Sequence, residues 1–318
     1  MKLAEFDAWV ADETARVERA LVAWVPADAP AGLGLAMRYG VLDGGKRVRP
    51  LLVLAASQAV HGLPDAAMRA ACAVELIHAY SLVHDDMPCM DNDVLRRGKP
   101  TVHVQFGQAQ AMLAGDAMQA LAFEVLTPDG GASHDGAGAG LAGVAGVAGV
   151  DAPGVPYALQ ARLCALLARA AGHAGMAGGQ AIDLASIGLP LRERALRDMH
   201  HRKTGALLQA SVLMGAACGT ASPAQWAALA DYGDALGLAF QVVDDILDVT
   251  QASATLGKTA GKDLDNNKPT YVTVLGLDAA RRHANDLRDK AQAALARSEL
   301  PDAAWLSLLA DKVVERES

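Results

Sequence analysis

Apolar residues recur at helical spacing along most of this chain. They repeat every three or four residues within the segments 51–60, 67–83, 109–126, 157–172, 191–218 and 226–249, which we predict to be helical. Runs that alternate apolar and polar residues, as in a half-buried strand, are scarce. Regular repeats of about 20 to 50 residues are not apparent. The pattern therefore predicts an all-α bundle.

The chain is long and apolar enough to bury a large helical core. Its 318 residues are 52% hydrophobic and only 4% aromatic, and a core of that size fits one large domain over residues 1–318. Residues 129–155 are rich in Gly and Ala. We predict that they form a flexible surface insert within the domain, with an active-site flap as the alternative.

Net charge and cysteine content indicate which cellular compartment and which classes of binding partner to expect. The net charge is −8, and the basic residues occur in short motifs rather than in one tract, which argues against a nucleic-acid partner. The longest apolar runs are interrupted by polar residues well before membrane-spanning length. The four cysteines are dispersed without metal-ligand spacing, and the N-terminus resembles an amphipathic helix rather than a signal peptide. We expect a soluble, cytoplasmic protein with reduced thiols.

Two aspartate clusters are the most informative chemical feature. They occupy residues 85–91 and 244–248, and each lies at the end of a strongly apolar run. Clustered carboxylates beside apolar helix faces repel one another and are costly to desolvate, so cations normally stabilise them. The two clusters together suggest one shared site for several metal ions.

Helical geometry indicates how the carboxylates are presented. Gln241, Asp244 and Asp248 fall within about 60° of one another on a helix, so their side chains project together. Oxygen ligands at this spacing suit Mg²⁺ rather than zinc. At the first cluster, Pro88 should end a helix that runs over about residues 67–86, so Asp91 reaches back from a loop.

Basic residues near both clusters match a substrate that carries diphosphate. A glycine turn with three basic residues covers 44–50, a second basic motif covers 96–99, and Lys203-Thr204, Lys258 and Lys268 follow. Arg offers a planar fork for phosphate oxygens, and Lys a compact point charge. His78 lies two helical turns before Asp85 and shares its face. The pattern predicts metal ions that bridge carboxylates to diphosphate.

These motifs resemble the short-chain trans-prenyl diphosphate synthases, and most of all the bacterial farnesyl diphosphate synthases. They occur in family-like order between about residues 38 and 281, at 44–50, 75–84, 95–101, 115–117, 178–180, 203–205, 240–245 and 255–258. The resemblance implies a single all-α bundle around a central active-site cavity, of the isoprenoid synthase type. It also implies a homodimer.

The resemblance carries roles to individual residues. The diphosphate of isopentenyl diphosphate would be held by Lys46, Arg49, His78 and Arg97. The allylic diphosphate would be held by Arg96, Lys203, Thr204, Gln241, Lys258 and Lys268. Of three Mg²⁺ ions, for which Mn²⁺ is a candidate substitute, two would be ligated by Asp85 and Asp91 and the third by Asp244, with Asp86 and Asp248 in support. The implied catalytic residues are Asp85, Asp91, Asp244, Lys203 and Arg96.

The implied reaction begins with ionisation of the allylic diphosphate, which the isopentenyl double bond then attacks before a proton is lost. In this family the residues five and four positions before the first Asp line the pocket for the growing tail. Tyr80 and Ser81 hold those positions here, and bacterial farnesyl synthases pair an aromatic residue with two extra residues between the aspartates. We therefore expect the fifteen-carbon farnesyl diphosphate, with geranylgeranyl (C20) and geranyl (C10) diphosphate as alternatives.

Three other functions compete with this interpretation. A terpene cyclase would share the first aspartate motif, but its second metal motif combines Asn or Asp with Ser or Thr and Glu. A helical metal-dependent phosphohydrolase could use His84-Asp85, yet it would leave the basic motifs unexplained. A non-catalytic partner subunit typically loses an aspartate-rich motif, and both are present here. The chain departs from the family pattern in two places. Asn92 replaces a carboxylate that we would not assign as a metal ligand, and the Gly/Ala-rich insert stands where relatives have a much shorter connection.

Overall fold

The computed structural model describes residues 3–42, 44–129, 154–189, 191–250 and 270–316. Its helices are α1 (Leu3–Trp24), α2 (Leu33–Val41), α3 (Val48–Ala59), α4 (Pro64–Asp85), α5 (Val102–Phe106), α6 (Gln108–Leu126), α7 (Tyr157–Ala171), α8 (Met176–Ala185), α9 (Glu193–His200), α10 (Ala206–Ala217), α11 (Pro223–Thr250), α12 (Tyr271–Leu275), α13 (Leu277–Ser298) and α14 (Ala304–Val314). A 3₁₀ turn covers Pro30–Gly32 and a π-helical turn covers His201–Gly205. Two short strands, β1 (Leu95–Arg96) and β2 (Lys99–Pro100), pair antiparallel.

The predicted all-α architecture is confirmed. The periodic segments coincide with α3, α4, α6, α7 and α11 to within a few residues. Segment 191–218 differs, because α9 and α10 are separated there by the π-helical turn. A π turn inserts an extra residue into the helical repeat and often occurs at a functional site. Apolar periodicity alone does not reveal it, because the helical phase shifts by only one residue.

Helix α4 is the centre of the core. It is buried on nearly every side, including Ala70, Val74, Leu76 and Ile77, each fully inaccessible to solvent. By length and composition α4 could cross a membrane, yet 78% of its most apolar window is buried inside the protein. A helix that is apolar all round is typical of such a central position. Helices α3 and α6 pack against it.

Helix α11 carries the second aspartate cluster and begins with a capping box. The backbone N–H of Gln225 donates to Ser222 Oγ (3.2 Å), and the N–H of Ser222 donates to Gln225 Oε1 (2.9 Å). Such a reciprocal pair satisfies two N–H groups that a helix start otherwise leaves unpaired. Helix α13 packs along α11, and α10 lies between α11 and α3. These contacts fix α11 opposite the end of α4.

A buried ion pair ties the glycine turn to the core. Arg47 donates to Glu75 Oε1 (2.6 Å), to Glu18 Oε1 (2.7 Å) and to the carbonyl of Val41 (2.7 Å). It is only 3% exposed and has a left-handed backbone conformation at φ 46°. Arg47 therefore joins α1, α2 and α4 at the start of α3, and the neighbouring Lys46 and Arg49 are positioned by it.

Two sets of predicted residues lie outside the described part of the chain. Most of the Gly/Ala-rich insert falls at 130–153, and Lys258 and Lys268 fall at 251–269.

The Arg47 network predicts a stability effect. Glu75→Gln should lower the free energy of unfolding by about 3 kcal/mol, because it leaves a buried guanidinium with only part of its charge compensated. Chemical denaturation followed by circular dichroism measures this loss. In the control Asp231→Ala, which removes an exposed partner of Arg297, the change should stay below about 1 kcal/mol. Equal losses in both variants would contradict the assignment of Arg47 to the core.

Candidate active site

The two aspartate clusters face one cavity of about 650 Å³. Helix α4 contributes His78, Tyr80 and Asp85 to its wall, and α11 contributes Asp244 and Asp248. The cavity is also lined by Arg49, Asp91, Arg96, Arg97, Lys203, Thr204 and Gln241. The predicted convergence of acidic and basic motifs is therefore present in the structure.

The first cluster is shaped by the end of α4. The helix ends at Asp85, before Pro88, and the loop turns back so that the N–H of Asp91 donates to the carbonyl of Asp85 (2.9 Å). Asp86 does not line the cavity; it is 2% exposed and accepts a two-pronged bond from Arg96, with the shortest contact at 2.6 Å. Asp86 thus orients Arg96, which does line the cavity.

Asp85 is the carboxylate most strongly perturbed by its surroundings. Burial raises its pKa to about 6, with Lys203 opposing the shift and Asp91 adding to it. A desolvated carboxyl beside another carboxylate gains from a nearby cation. This electrostatic setting fits a divalent metal ion.

On α11 the predicted polar face is divided between two roles. Gln241 accepts a bond from the hydroxyl of Thr204 (2.8 Å) and donates to Asp245 Oδ1 (2.8 Å). Asp245 also accepts from the backbone N–H of Tyr271 (2.7 Å), at the start of α12. Asp245 therefore anchors α12 and also lines the cavity, together with Asp244 and Asp248 of the same helix.

Arg316 is a neighbour of Asp244 that the sequence did not suggest. Its guanidinium donates to Asp244 Oδ1 (3.0 Å) and to the carbonyl of Phe240 (2.8 Å), and it lies 3.9 Å from the centre of the Phe240 ring. Arg316 belongs to no motif, so the sequence did not predict its place at the site. Only the packing of α14 beside α11 brings it here.

Lys203 lies in the π-helical turn and is held by Asp183 of α8. Its Nζ donates to Asp183 Oδ2 at 2.6 Å, and Asp183 is 5% exposed. A side chain at Gly179 would collide with the backbone of Lys203, so this glycine allows the close approach. The sequence motifs did not predict a role for Asp183, although it follows Gly179 by one helical turn. It is the lysine's principal carboxylate partner at the cavity wall.

The basic residues of the glycine turn separate in space. Arg49 is buried at the cavity wall, and burial lowers its pKa although Glu75 and Asp244 oppose the shift. Lys46 and Arg316 line a neighbouring cavity of about 510 Å³, and Phe240 lines both cavities. Burial and the charge of Arg316 lower the pKa of Lys46, while Asp244 raises it. The lysine is thus electrostatically coupled to the second cluster.

His78 lies within a group of arginines. Burial lowers its pKa well below the usual value, and Arg49 and Arg97 add to the shift. Its imidazole is therefore neutral near pH 7 and has one donor and one acceptor nitrogen. Arg97 adopts φ 52° and donates to the carbonyl of Gly44, so it connects the second basic motif to the glycine turn.

The remaining wall of the cavity is largely apolar or small. Its apolar or small residues include Tyr80, Ser81, Leu82, Met176, Ala177, Ala181 and Leu184, and the polar His84, His200 and Thr270 line it as well. Gln180 of α8 also lines the cavity, and both polar atoms of its side chain are buried without a protein partner. The site thus combines a charged end with a wall suited to hydrocarbon.

The carboxylates form an open arrangement. Across the described part of the chain, no three His, Cys, Asp or Glu side chains converge as a closed metal site. Asp85 and Asp91 on one side and Asp244 and Asp248 on the other line one cavity instead. Mg²⁺ keeps several waters and binds through one or two carboxylates plus phosphate oxygens. The donor set fits that ion, which supplies electrostatic stabilisation of a departing diphosphate when bound.

Several known proteins are similar to this chain in sequence and in fold. The chain is 42% identical over 316 residues to a chloroplastic geranylgeranyl pyrophosphate synthase of Catharanthus roseus, covering 99% of this chain and 82% of the relative. It is 44% identical over 298 residues to a probable farnesyl diphosphate synthase of Sinorhizobium fredii, covering 91% and 81%. A Helicobacter pylori geranyltransferase, solved with magnesium and isoprenyl diphosphate, superposes with a TM-score of 0.78 at 31% identity and covers 96% of this chain and 95% of that one.

The polyprenyl synthetase family model matches residues 31–303. That range includes both aspartate clusters, the glycine turn and the π-helical turn. The chain therefore belongs to the polyprenyl synthetase family and is a trans-prenyltransferase.

Proposed function

We propose that the protein condenses isopentenyl diphosphate with dimethylallyl or geranyl diphosphate and stops at farnesyl diphosphate. The observation that carries the product length is Tyr80, whose ring lines the cavity five residues before Asp85. In the proposed pocket this ring ends the path of the growing tail and blocks a further isoprene unit, because a packed wall has no spare volume.

The chain's own residues divide the work between the two diphosphates. Lys203, held by Asp183, and Arg96, held by Asp86, are positioned for the allylic diphosphate. Arg49 and the neutral His78 are positioned for the isopentenyl diphosphate. Cations preorganised by buried carboxylates need little reorganisation when charge develops on the leaving group. Thr204, Gln241, Arg97 and Lys46 complete the proposed binding set.

In the proposed reaction the allylic carbon–oxygen bond breaks and diphosphate leaves with the bonding pair. The isopentenyl double bond attacks the carbocation and forms the new carbon–carbon bond. A proton is then lost to the departing diphosphate, which restores a double bond. The apolar wall contributes by keeping water away from the cation. No side-chain base is required.

Geranylgeranyl diphosphate is the second candidate product, and the likeness to the Catharanthus roseus enzyme favours it. Incubation with isopentenyl and dimethylallyl diphosphates plus Mg²⁺, followed by chromatography of the dephosphorylated alcohols, distinguishes the two. A predominant C20 alcohol would select the second candidate, and release of phosphate without any prenyl alcohol would contradict both.

Enzymes of this family depend on Mg²⁺, and we propose that Asp85, Asp91 and Asp244 ligate it here, with Asp248 in support. The predicted supporting role of Asp86 becomes an indirect one, because both of its oxygens bond Arg96. Chelation of Mg²⁺, Asp85→Ala or Asp244→Ala should lower turnover at least about a hundredfold, because losing one preorganised stabiliser costs roughly 3 to 4 kcal/mol. Asp248→Ala should have a smaller effect. The exposed control Asp278→Ala should be unchanged, and steady-state kinetics in excess chelator at wild-type rates would contradict the metal assignment.

Tyr80 predicts a change in product rather than in metal dependence. Tyr80→Ala should deepen the pocket and shift the product towards twenty carbons or longer, because the removed ring leaves volume for another isoprene unit. Chromatography of the alcohols measures the shift. Tyr80→Phe retains the ring and should keep the wild-type distribution. If Tyr80→Ala also keeps that distribution, the end of the pocket lies elsewhere.

We propose that two copies associate through the outer face of α6. Met112 is 40% exposed and Leu113 is 54% exposed on this apolar helix. Val104 is 49% exposed on α5, which packs against α6. Sedimentation should give a homodimer of the 32.9 kDa chain, and Leu113→Glu should shift it towards monomer because a buried charge disfavours the interface. Leu189→Glu, on another exposed surface, should leave it dimeric; a monomeric wild type would contradict the proposal.

We also propose the cytoplasm as the site of action. All four cysteines, Cys72, Cys89, Cys164 and Cys218, are free. Free thiols are typical of a reducing compartment.

A further inference from the structure

The ring proposed to end chain growth must itself be held in place. Among the described residues, no hydrogen bond reaches the Tyr80 hydroxyl. The ring instead lies edge-on to His84, with centroids 5.7 Å apart and planes at 75°. Edge-to-face contacts of this kind are directional. Tyr80 also packs against the hydrophobic core, and the His84 ring is the contact that bears on its edge orientation.

His84 is fixed by α6. Its Nε2 lies 3.0 Å from the carbonyl oxygen of Met112. Because a carbonyl can only accept, Nε2 carries the proton in this contact, and the tautomer is assigned on that ground. The bond removes freedom about the side-chain torsions of His84.

Gly115 provides the space for that ring. A Cβ atom built on Gly115 would overlap the imidazole of His84, and its closest contacts are all ring atoms. Gly115 lies one helical turn after Met112, so the carbonyl and the missing side chain form one slot on the inner face of α6. Any larger residue at 115 must displace His84.

We propose that His84 and Gly115 are positioning residues for product length. The slot on α6 holds His84, and His84 holds the Tyr80 ring at the end of the hydrocarbon pocket. This inference rests on the proposed prenyl elongation and extends it from the residue that blocks the chain to the residues that set its orientation. His84 also lines the cavity, and its proposed role is to act through the Tyr80 ring rather than on the reacting atoms.

The test is a double-mutant cycle read out as product length. His84→Ala should raise the ratio of the next longer alcohol to the wild-type product about fivefold, which corresponds to losing an edge-to-face contact of about 1 kcal/mol. Adding His84→Ala to Tyr80→Ala should produce no further shift, because the residue through which His84 acts is already gone. Chromatography of the dephosphorylated alcohols measures all four enzymes.

A second cycle tests the slot. Gly115→Ala should change the product distribution when His84 is present and should have no further effect in the His84→Ala background, where the collision is relieved. His84→Phe keeps a ring but cannot donate to Met112, so an intermediate shift is expected. Asp278→Ala, at an exposed position of α13 away from α6, is the control and should match wild type.

The outcomes separate this inference from the proposed function. If the wild type makes no prenyl alcohol, the proposed function fails. If it does, but His84→Ala alters only rate or melting temperature, the positioning role is wrong. Equal shifts of His84→Ala in the wild-type and Tyr80→Ala backgrounds would overturn it as well, because His84 would then be an independent part of the pocket wall. Should Gly115→Ala fail to fold by circular dichroism, the first cycle decides alone.

Discussion

Desolvation of charged groups is the constraint on which this site depends. Helices α4 and α11 hold carboxylates against one cavity, which basic and apolar residues also line, and burial raises the pKa of Asp85 to about 6. The same burial lowers the pKa of Arg49 and of His78 in the same cavity. Burial thus disfavours the charged forms of acids and bases alike. A ligand that brings both signs of charge, such as a diphosphate with divalent cations, relieves both.

The protein manages this cost by giving its buried cations carboxylate partners. Arg47 is compensated within the core by Glu75, Arg96 by Asp86, and Lys203 by Asp183. In the last two pairs the carboxylate is almost fully buried while the cation lines the cavity. The salt bridge therefore restricts the side-chain motion of the cation, while the cation still lines the cavity. This arrangement is a preorganised electrostatic site, in which little side-chain motion is needed as leaving-group charge develops.

The spacing of residues in the sequence predicted the helices and the side chains that share a helix face. It did not predict the contacts that depend on tertiary packing. Helix α4, its end before Pro88 and the shared face of Asp244 and Asp248 follow from helical periodicity and from proline chemistry. Asp183, Arg316 and the slot at Gly115 depend on contacts between elements far apart in the chain, for which one sequence contains no signal. Arg47 shows the same limit: it belongs to the basic motif, yet the fold uses it in the core. The π-helical turn was hidden because it shifts the helical phase by a single residue.

The positions of the motifs also explain why the sequence identifies the family more clearly than it identifies the product length. In the proposed function the charged motifs bind the diphosphates, whose chemistry is the same for every chain length. Under the same proposal, product length depends on the wall at Tyr80, where one ring decides whether another isoprene unit fits. Relatives with different products can therefore match this chain equally well. If the position of Tyr80 depends on His84 and Gly115, then two enzymes with the same residue at the end of the pocket can still differ in product, because the tail meets the ring only where its neighbours hold it.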